Sequence, residues 1–123
     1  MKIEILIYEF SICKLSECPQ IRQEDEFCFV GKTDEEISMV CTCENVPKNA
    51  VRRDDGWRAF RIKDVLDFSL VGVLSDISGL LAENGISIFA ISTFNTDYVL
   101  TKKESFDKAL NVLSDAGYLV EGR

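Results

Sequence analysis

The sequence predicts an α+β fold whose second half has the element order βαββαβ. Residues 70–81 carry apolar side chains at helical spacing, and residues 86–94 change to β-branched and aromatic residues with a period of two. Residues 102–116 return to helical spacing, and a short apolar segment closes the chain. Short connections and right-handed crossovers place both helices on one face of a four-stranded antiparallel sheet.

Composition limits the class of protein. The 123 residues suffice for one domain or two very small ones, and a hydrophobic content of 46% excludes a disordered chain. The net charge of -7 disfavours non-specific binding to nucleic acid or an anionic membrane. No apolar run approaches the ~18 residues of a membrane span. Because acids interrupt the apolar residues of the opening segment, it does not resemble a signal peptide. We expect a cytoplasmic protein.

The five cysteines are expected to be reduced thiols. Their number is odd, and no secretion signal precedes them. The spacing of Cys41 and Cys43 does not fit a zinc knuckle, and the sequence contains no histidine. Cys28, Cys41 and Cys43 lie in apolar, strand-like runs, where a free cysteine behaves as a small hydrophobic residue. We therefore predict no metal site and no cofactor.

The first half is less regular than the second. Residues 3–15 alternate as one long bent strand or as two short strands, and polar residues 16–26 predict a loop. A short strand at residues 27–30 follows. Thr33 and Glu36 have the spacing of a capping box, which predicts the start of a short helix. Residues 38–43 again have an extended pattern.

The segment 46–56 is predicted to be a junction or a hairpin between the halves. It contains Pro47 and Asn49 and ends in the mixed charges of residues 52–56, which we interpret as a solvated turn rather than an anion site. A strand is predicted at residues 57–67.

The second half contains two amphipathic helices. The apolar stripe of the first contains Leu70, Leu74, Ile77 and Leu81, and Asn84-Gly85 ends it. The stripe of the second consists of Phe106, Ala109, Leu110 and Leu113.

A repeated pattern indicates an internal duplication. Phe10-x-Ile12 recurs as Phe60-x-Ile62, and the first half offers strands and one short helix in a similar order. We predict an N-terminal half at residues 1–50, with a short helix, and a C-terminal domain at residues 57–123.

Three segments carry a resemblance to a known family. LVGVL at residues 70–74, GISI at 85–88 and ISTFNTDY at 91–98 resemble an ACT domain. The resemblance is specific over residues 57–118 and weaker over residues 2–46. The sequence is most similar to small proteins that pair two ACT-like halves. These proteins are relatives of aspartate kinase regulatory domains and of the animal cytosolic arginine sensor. The resemblance implies a ferredoxin-like ACT fold with two ACT-like halves.

The resemblance also implies a binding function without catalysis. ACT domains bind a free amino acid at an interface between two ACT units. Carried over to this sequence, that site consists of a helix-start segment and a strand-end segment: Ser69, Leu70, Val71, Gly72, Ile91, Ser92, Thr93 and Asp97.

The helix start suits an anionic group. A helix N-terminus presents unpaired N–H groups and a partial positive charge to a carboxylate, and Gly72 would let a ligand approach the backbone. The alternative is that Gly72 relieves crowding between helix and sheet while Ser69 merely caps the helix.

The strand end suits a cationic group. Ser92 and Thr93 can offer oxygens to an ammonium group, and Asp97 can pair with an amine or a guanidinium. The alternatives are ordinary strand-edge polarity and turn formation. Asp97 and the acidic net charge favour a ligand with a cationic or amide side chain, such as arginine, lysine or glutamine.

The predicted strand 86–94 suggests an assembly. Ile86, Ile88 and Ala90 share one face, whereas Phe89 and Ile91 share the other. Helices on one side of the sheet would leave Phe89 and Ile91 exposed unless the first half or a second subunit covers them. We expect a homodimer.

The leading function is a sensor that binds an amino acid and signals to a protein partner. The alternative is a ligand-free ACT-like dimerisation or interaction module. An enzyme is disfavoured because the sequence has no histidine, no phosphate-binding glycine loop and no nucleophile–base spacing.

Overall fold

The computed structural model describes residues 1–63 and 72–122 and has the predicted α+β class. In that part of the chain the elements follow the order β1 (Lys2–Leu15), β2 (Cys28–Lys32), β3 (Ile37–Thr42), a 3-10 turn (Cys43–Asn45), β4 (Arg52–Ile62), α1 (Val73–Glu83), β5 (Phe89–Ser92), β6 (Asp97–Lys102), α2 (Lys103–Asp115) and β7 (Leu119–Glu121).

The chain forms two compact units. The C-terminal unit combines Met1–Ile7 with Arg58–Arg123, and the N-terminal unit consists of Tyr8–Trp57. Strands β1 and β4 are long enough to contribute to both units. The domains predicted from the sequence, residues 1–50 and 57–123, are halves of a predicted duplication. The compact units are defined by contacts instead, and they assign the first seven residues to the C-terminal unit, so the duplication stays a prediction.

The C-terminal unit has the predicted βαββαβ order, running from β4 through α1, β5, β6 and α2 to β7. Its strands lie in the order β7-β1-β4-β6-β5, so the sheet contains one strand more than the sequence predicted. The extra strand, β1, pairs with β7 in parallel, with Ile3 opposite Val120. β1 joins this sheet because its residues Ile3 and Ile5 are buried in the hydrophobic core of the unit.

Both helices face this core with the predicted residues. Ile77 and Leu81 of α1 are fully buried, and Val73, Leu74 and Leu80 pack against the core. Leu70 lies outside the described residues. The predicted stripe of α2 is fully buried with them: Phe106, Ala109, Leu110 and Leu113.

The N-terminal unit is built from strands in the order β2-β3-β1-β4. β1 is a single strand of 14 residues, which decides between the two alternatives left open by the sequence. The core of this unit contains Cys13, Leu15, Met39 and Cys41. In the described part of the unit the only helical segment is the 3-10 turn.

The predicted short helix at Thr33 is wrong. Thr33 and Glu36 close the hairpin between β2 and β3, and the Thr33 N–H donates to the Glu36 carbonyl at 2.9 Å. The Thr33 hydroxyl accepts hydrogen bonds from the N–H groups of Glu35 and Glu36, at 3.1 and 3.2 Å. These are bonds of the kind a capping threonine makes, but here they stabilise a turn.

The hairpin between β5 and β6 has the same construction. The Thr93 N–H donates to the Thr96 carbonyl at 2.8 Å. The second strand of each hairpin, β3 or β6, has six residues. The N-terminal unit therefore repeats the order strand, connection, hairpin, turn, strand, with a loop and a 3-10 turn in the places of α1 and α2. The duplication itself stays a prediction.

The charged run at residues 52–56 is not a turn, because β4 already begins at Arg52. Arg53 and Asp55 lie two residues apart on one face of the strand, and the Arg53 Nε donates to Asp55 Oδ1 at 3.0 Å.

Candidate functional site

Helix α1 begins after Gly72, which is its N-cap residue. Gly72 has φ 92° and ψ 4°, a left-handed conformation that favours glycine. Its carbonyl accepts a hydrogen bond from the Asp76 N–H at 2.8 Å. A Cβ at Gly72 would meet no atom of the described residues within 4 Å. Backbone conformation, rather than the crowding considered from the sequence, therefore requires glycine here.

The start of α1 offers hydrogen-bond donors. The first N–H groups of a helix have no intrahelical acceptor, and they carry the positive end of the helix dipole. Gly72 has no side chain with which to cap them. Donors of this kind bind carboxylate and phosphate groups.

A cavity of about 400 Å³ opens at this helix start. The first turn of α1, the α2–β7 connection and the first residue of the chain form its wall, which consists of Met1, Gly72, Val73, Asp76, Ala116, Gly117 and Tyr118.

The cavity contains a carboxylate held by a phenol. The Tyr118 hydroxyl donates a hydrogen bond to Asp76 Oδ2. Burial, together with the Asp76 carboxylate, raises the pKa of Tyr118 to about 12. Tyr118 is therefore a neutral donor at physiological pH. Helix N–H groups beside a carboxylate match a ligand that carries both a carboxylate and an ammonium group.

The predicted strand-end residues lie on the β5–β6 hairpin. Ile91 and Asp97 are half-buried, whereas Ser92 and Thr93 are exposed. Ser92 and Asp97 face each other across the hairpin. The Thr93 hydroxyl donates to the Thr96 carbonyl at 3.0 Å, so it serves the turn.

The structure brings together only part of the predicted site. Gly72 lines the cavity, but Ile91, Ser92, Thr93 and Asp97 are not among its wall residues. Ser69, Leu70 and Val71 lie outside the described residues.

Sequence reasoning missed Asp76 and Tyr118. The helical pattern placed Asp76 on the polar side of α1, away from the apolar stripe, and gave no partner for it. Tyr118 follows the glycine after α2, at the start of a segment predicted only as a strand. A signal was present in the spacing of Gly72 and Asp76, because an acid in the first turn lies beside the helix start.

The N-terminal unit has a larger cavity of about 570 Å³, beneath Leu15 and Met39. Its polar wall residues bond to one another. Arg22 Nη2 lies 3.0 Å from Asp25 Oδ1, and the Asn49 side chain donates to Glu17 Oε1 at 3.1 Å. These bonds occupy part of the polar wall of this cavity, which contains no helix start.

Within residues 1–63 and 72–122, no group of three or more acidic or cysteine side chains is placed to hold a metal ion. The helices in these ranges are too short or too polar to span a bilayer.

The βαββαβ unit and its helix-start cavity define an α+β protein with ferredoxin-like topology. Residues 52–115, just over half of the chain, match the family model of the ACT domain. The chain belongs to the ACT domain family, as the sequence resemblance implied. Among curated proteins, none matches this chain.

Solved structures share the fold over nearly the whole chain. Atu0741 from Agobacterium tumefaciens is 30% identical, with a TM-score of 0.84, over 97% of this chain and 90% of its own. VC0802 from Vibrio cholerae, a protein of unknown function described as a possible transport protein, is 19% identical over 90% of this chain and 85% of its own, with a TM-score of 0.69. The ligand-free regulatory subunit of aspartate kinase from Thermus thermophilus is 14% identical over 94% and 97% of the two chains, with a TM-score of 0.62.

Proposed function

We propose that this protein is a non-catalytic regulatory module that binds a free amino acid. The observation that carries the proposal is the cavity at the start of α1 in an ACT domain, whose wall includes Gly72 and Val73 of the helix start together with Asp76. A regulatory subunit of aspartate kinase has the same fold, which supports a regulatory role.

The proposed ligand binds through both of its backbone charges. Its carboxylate accepts hydrogen bonds from the amides around Val71 and Gly72, and its ammonium group pairs with Asp76. Tyr118 stabilises this arrangement, because its hydroxyl donates a hydrogen bond to the Asp76 carboxylate.

The ligand side chain is proposed to reach residues 91–97. β5 returns antiparallel to α1 in a βαβ connection, so its last residues come back to the end of the unit at which α1 begins. In a homodimer this segment can also come from the second copy, which corresponds to the predicted interface between ACT domains. The acidic net charge of -7 and Asp97 favour a cationic or amide side chain.

The proposal also includes a regulated protein partner and a cellular location. Binding is proposed to change the affinity for a regulated protein partner, in the cytoplasm. All five cysteines are free thiols, which is the state that a reducing compartment maintains.

A thermal-shift screen of the twenty amino acids tests the proposal. At one hundred times its dissociation constant, a ligand adds about 2.7 kcal/mol to the free energy of unfolding and raises the midpoint by several degrees. Asp76→Asn should abolish the shift, because it removes the ammonium partner. Asp107→Asn, at an exposed position on α2, should leave the shift unchanged. If none of the twenty amino acids raises the midpoint, the proposal is wrong.

A second candidate is a ligand-free dimerisation module. It is favoured by Phe94, which is 100% exposed at the tip of the β5–β6 hairpin. This module would self-associate in the absence of any amino acid, and no amino acid would change its midpoint.

A further inference from the structure

Three thiols lie on one face of the N-terminal sheet, on three adjacent strands. Cys41 of β3 is directly opposite Cys28 of β2. Cys13 of β1 is opposite Met39, two residues from Cys41, so it lies diagonally to Cys41 on the same face. Cys13 and Cys41 are in the core of the unit, and Cys28 packs against that core.

The hairpin register fixes the type of the Cys28–Cys41 pair. The Thr33 N–H donates to the Glu36 carbonyl, so these two residues form a hydrogen-bonded pair. Hydrogen-bonded and non-hydrogen-bonded pairs alternate along an antiparallel ladder. Counted in residue pairs along the ladder, Cys28 and Cys41 lie an odd number of pairs from Thr33 and Glu36. They therefore form a non-hydrogen-bonded pair.

This geometry suits a disulfide. The Cα atoms of a non-hydrogen-bonded pair are about 4.5 Å apart, and disulfides need about 4.4 to 6.8 Å. The Cα atoms of diagonal neighbours such as Cys13 and Cys41 are roughly 7–8 Å apart, at or beyond the limit for a disulfide without backbone movement, although these two side chains are hydrogen-bonded to each other.

We propose that Cys28 and Cys41 are a redox modification site that forms a reversible cross-strand disulfide when a hydroperoxide oxidises the protein. In the first step the Cys28 sulfur attacks the peroxide oxygen, giving a sulfenic acid and one molecule of water. In the second step the Cys41 sulfur attacks the Cys28 sulfur and displaces its hydroxyl group, which takes up the Cys41 proton and leaves as water. Two thiols and one hydrogen peroxide become one disulfide and two waters.

Exposure sets the order of these steps. Cys28 is half-buried and open to the oxidant, whereas Cys41 is only 1% exposed. Burial raises the pKa of the Cys28 thiol, helped by Asp25, and raises the pKa of Cys41 to about 12. Because thiolates are the reactive form, both thiols react slowly at neutral pH. Formation of the disulfide is therefore expected to be slow.

The test uses the full chain carrying Cys18→Ser, which removes the exposed thiol that can cross-link two molecules. Reduced protein is treated with hydrogen peroxide, and its intact mass and non-reducing digest are measured. We expect the loss of two hydrogen atoms, a peptide linked through Cys28 and Cys41, and full reversal by dithiothreitol. With Cys28→Ser added, the protein should no longer lose two hydrogen atoms. With Cys13→Ser added instead, it should still lose them.

Circular dichroism verifies that each variant is folded, and Cys28→Ser tests the site even if a change at buried Cys41 unfolds the unit. A linkage between Cys13 and Cys41, or oxygen addition without any disulfide, would overturn the proposal. The result is independent of the amino-acid site, whose residues belong to the C-terminal unit.

Discussion

Two glycines, one at the start of α1 and one inside it, should respond to alanine in opposite ways. Gly72 has a positive φ of 92°, so Gly72→Ala should lower the free energy of unfolding by about 1–2 kcal/mol. Gly79 lies inside α1, and a Cβ there would meet no described atom within 4 Å. Gly79→Ala should therefore raise the free energy of unfolding by about 0.5–1 kcal/mol. Urea denaturation measures both effects.

Gly72→Asn provides the matched variant, because asparagine tolerates the left-handed region better than alanine. It should cost less stability than Gly72→Ala. An alanine at position 72 that costs nothing would show that the left-handed conformation is not required.

At the scale of single residues, sequence reasoning succeeded where a local rule applied. Gly72 was singled out because a helix starts beside it, and the structure gives it a conformation that needs glycine. The contact between Asp76 and Tyr118 could not be predicted, since it joins two residues 42 positions apart. Such a contact depends on how the α2–β7 connection lies beside the start of α1, which no local pattern encodes.

Strands β1 and β4 are linked by an ion pair whose effect depends on pH. Glu4 Oε1 accepts hydrogen bonds from Arg61 Nη2 at 2.7 Å and from Arg61 Nε at 2.8 Å. The hydrogen bond from Arg61 holds the pKa of Glu4 below its usual range. The pair therefore contributes stability above the unfolded pKa of about 4.3 and loses it as pH falls through the lower folded pKa.

Glu4→Gln should lower the free energy of unfolding by about 0.5–1 kcal/mol at pH 7, because the pair is partly exposed. As pH falls through the lowered folded pKa of Glu4, the gap in stability between the variant and the natural protein should narrow. Glu26→Gln, in an exposed loop, is the control and should change little at either pH. Urea titrations at pH 3 and pH 7 measure the difference, and a constant gap between Glu4→Gln and the natural protein would contradict this account of the pair.

At the scale of elements, periodicity predicted the C-terminal unit well. The stripes of α1 and α2 and the order βαββαβ follow from local spacing, because amphipathic helices bury one face. The prediction of a short helix at Thr33 was wrong because a capping box and a tight turn use the same hydrogen bonds from backbone N–H groups to a hydroxyl. The parallel pairing of β1 with β7 joins opposite ends of the chain, so alternation along β1 could not reveal it.

The whole molecule is expected to form a homodimer through β5. Among the described strands, β5 pairs only with β6 and lies at the end of the strand order, and strands at the end of a sheet can pair with a second chain. Phe89 and Ile91, predicted to need cover, are half-buried in the single chain, and Phe94 at the hairpin tip is fully exposed. Size-exclusion chromatography with light scattering at micromolar concentration should give twice the mass of a 13.9 kDa chain.

Ile91→Lys should shift this dimer towards the monomer, because it places a charge on the pairing strand. Ile7→Lys, at a position that is 76% exposed on β1, is the matched control and should leave the mass unchanged. A mass of 13.9 kDa for the natural protein would exclude the homodimer.

The central claim is that a free amino acid binds at the start of α1. An NMR titration of the isotope-labelled natural protein tests it most directly, using each amino acid in turn and following the backbone amide signals. We predict saturable shifts of the Gly72, Val73 and Asp76 amides together with Tyr118, produced by one amino acid or a few with related side chains. Saturable shifts confined to residues around Arg22 and Asn49 would place the site in the other cavity and contradict the claim, as would an absence of saturable shifts with all twenty.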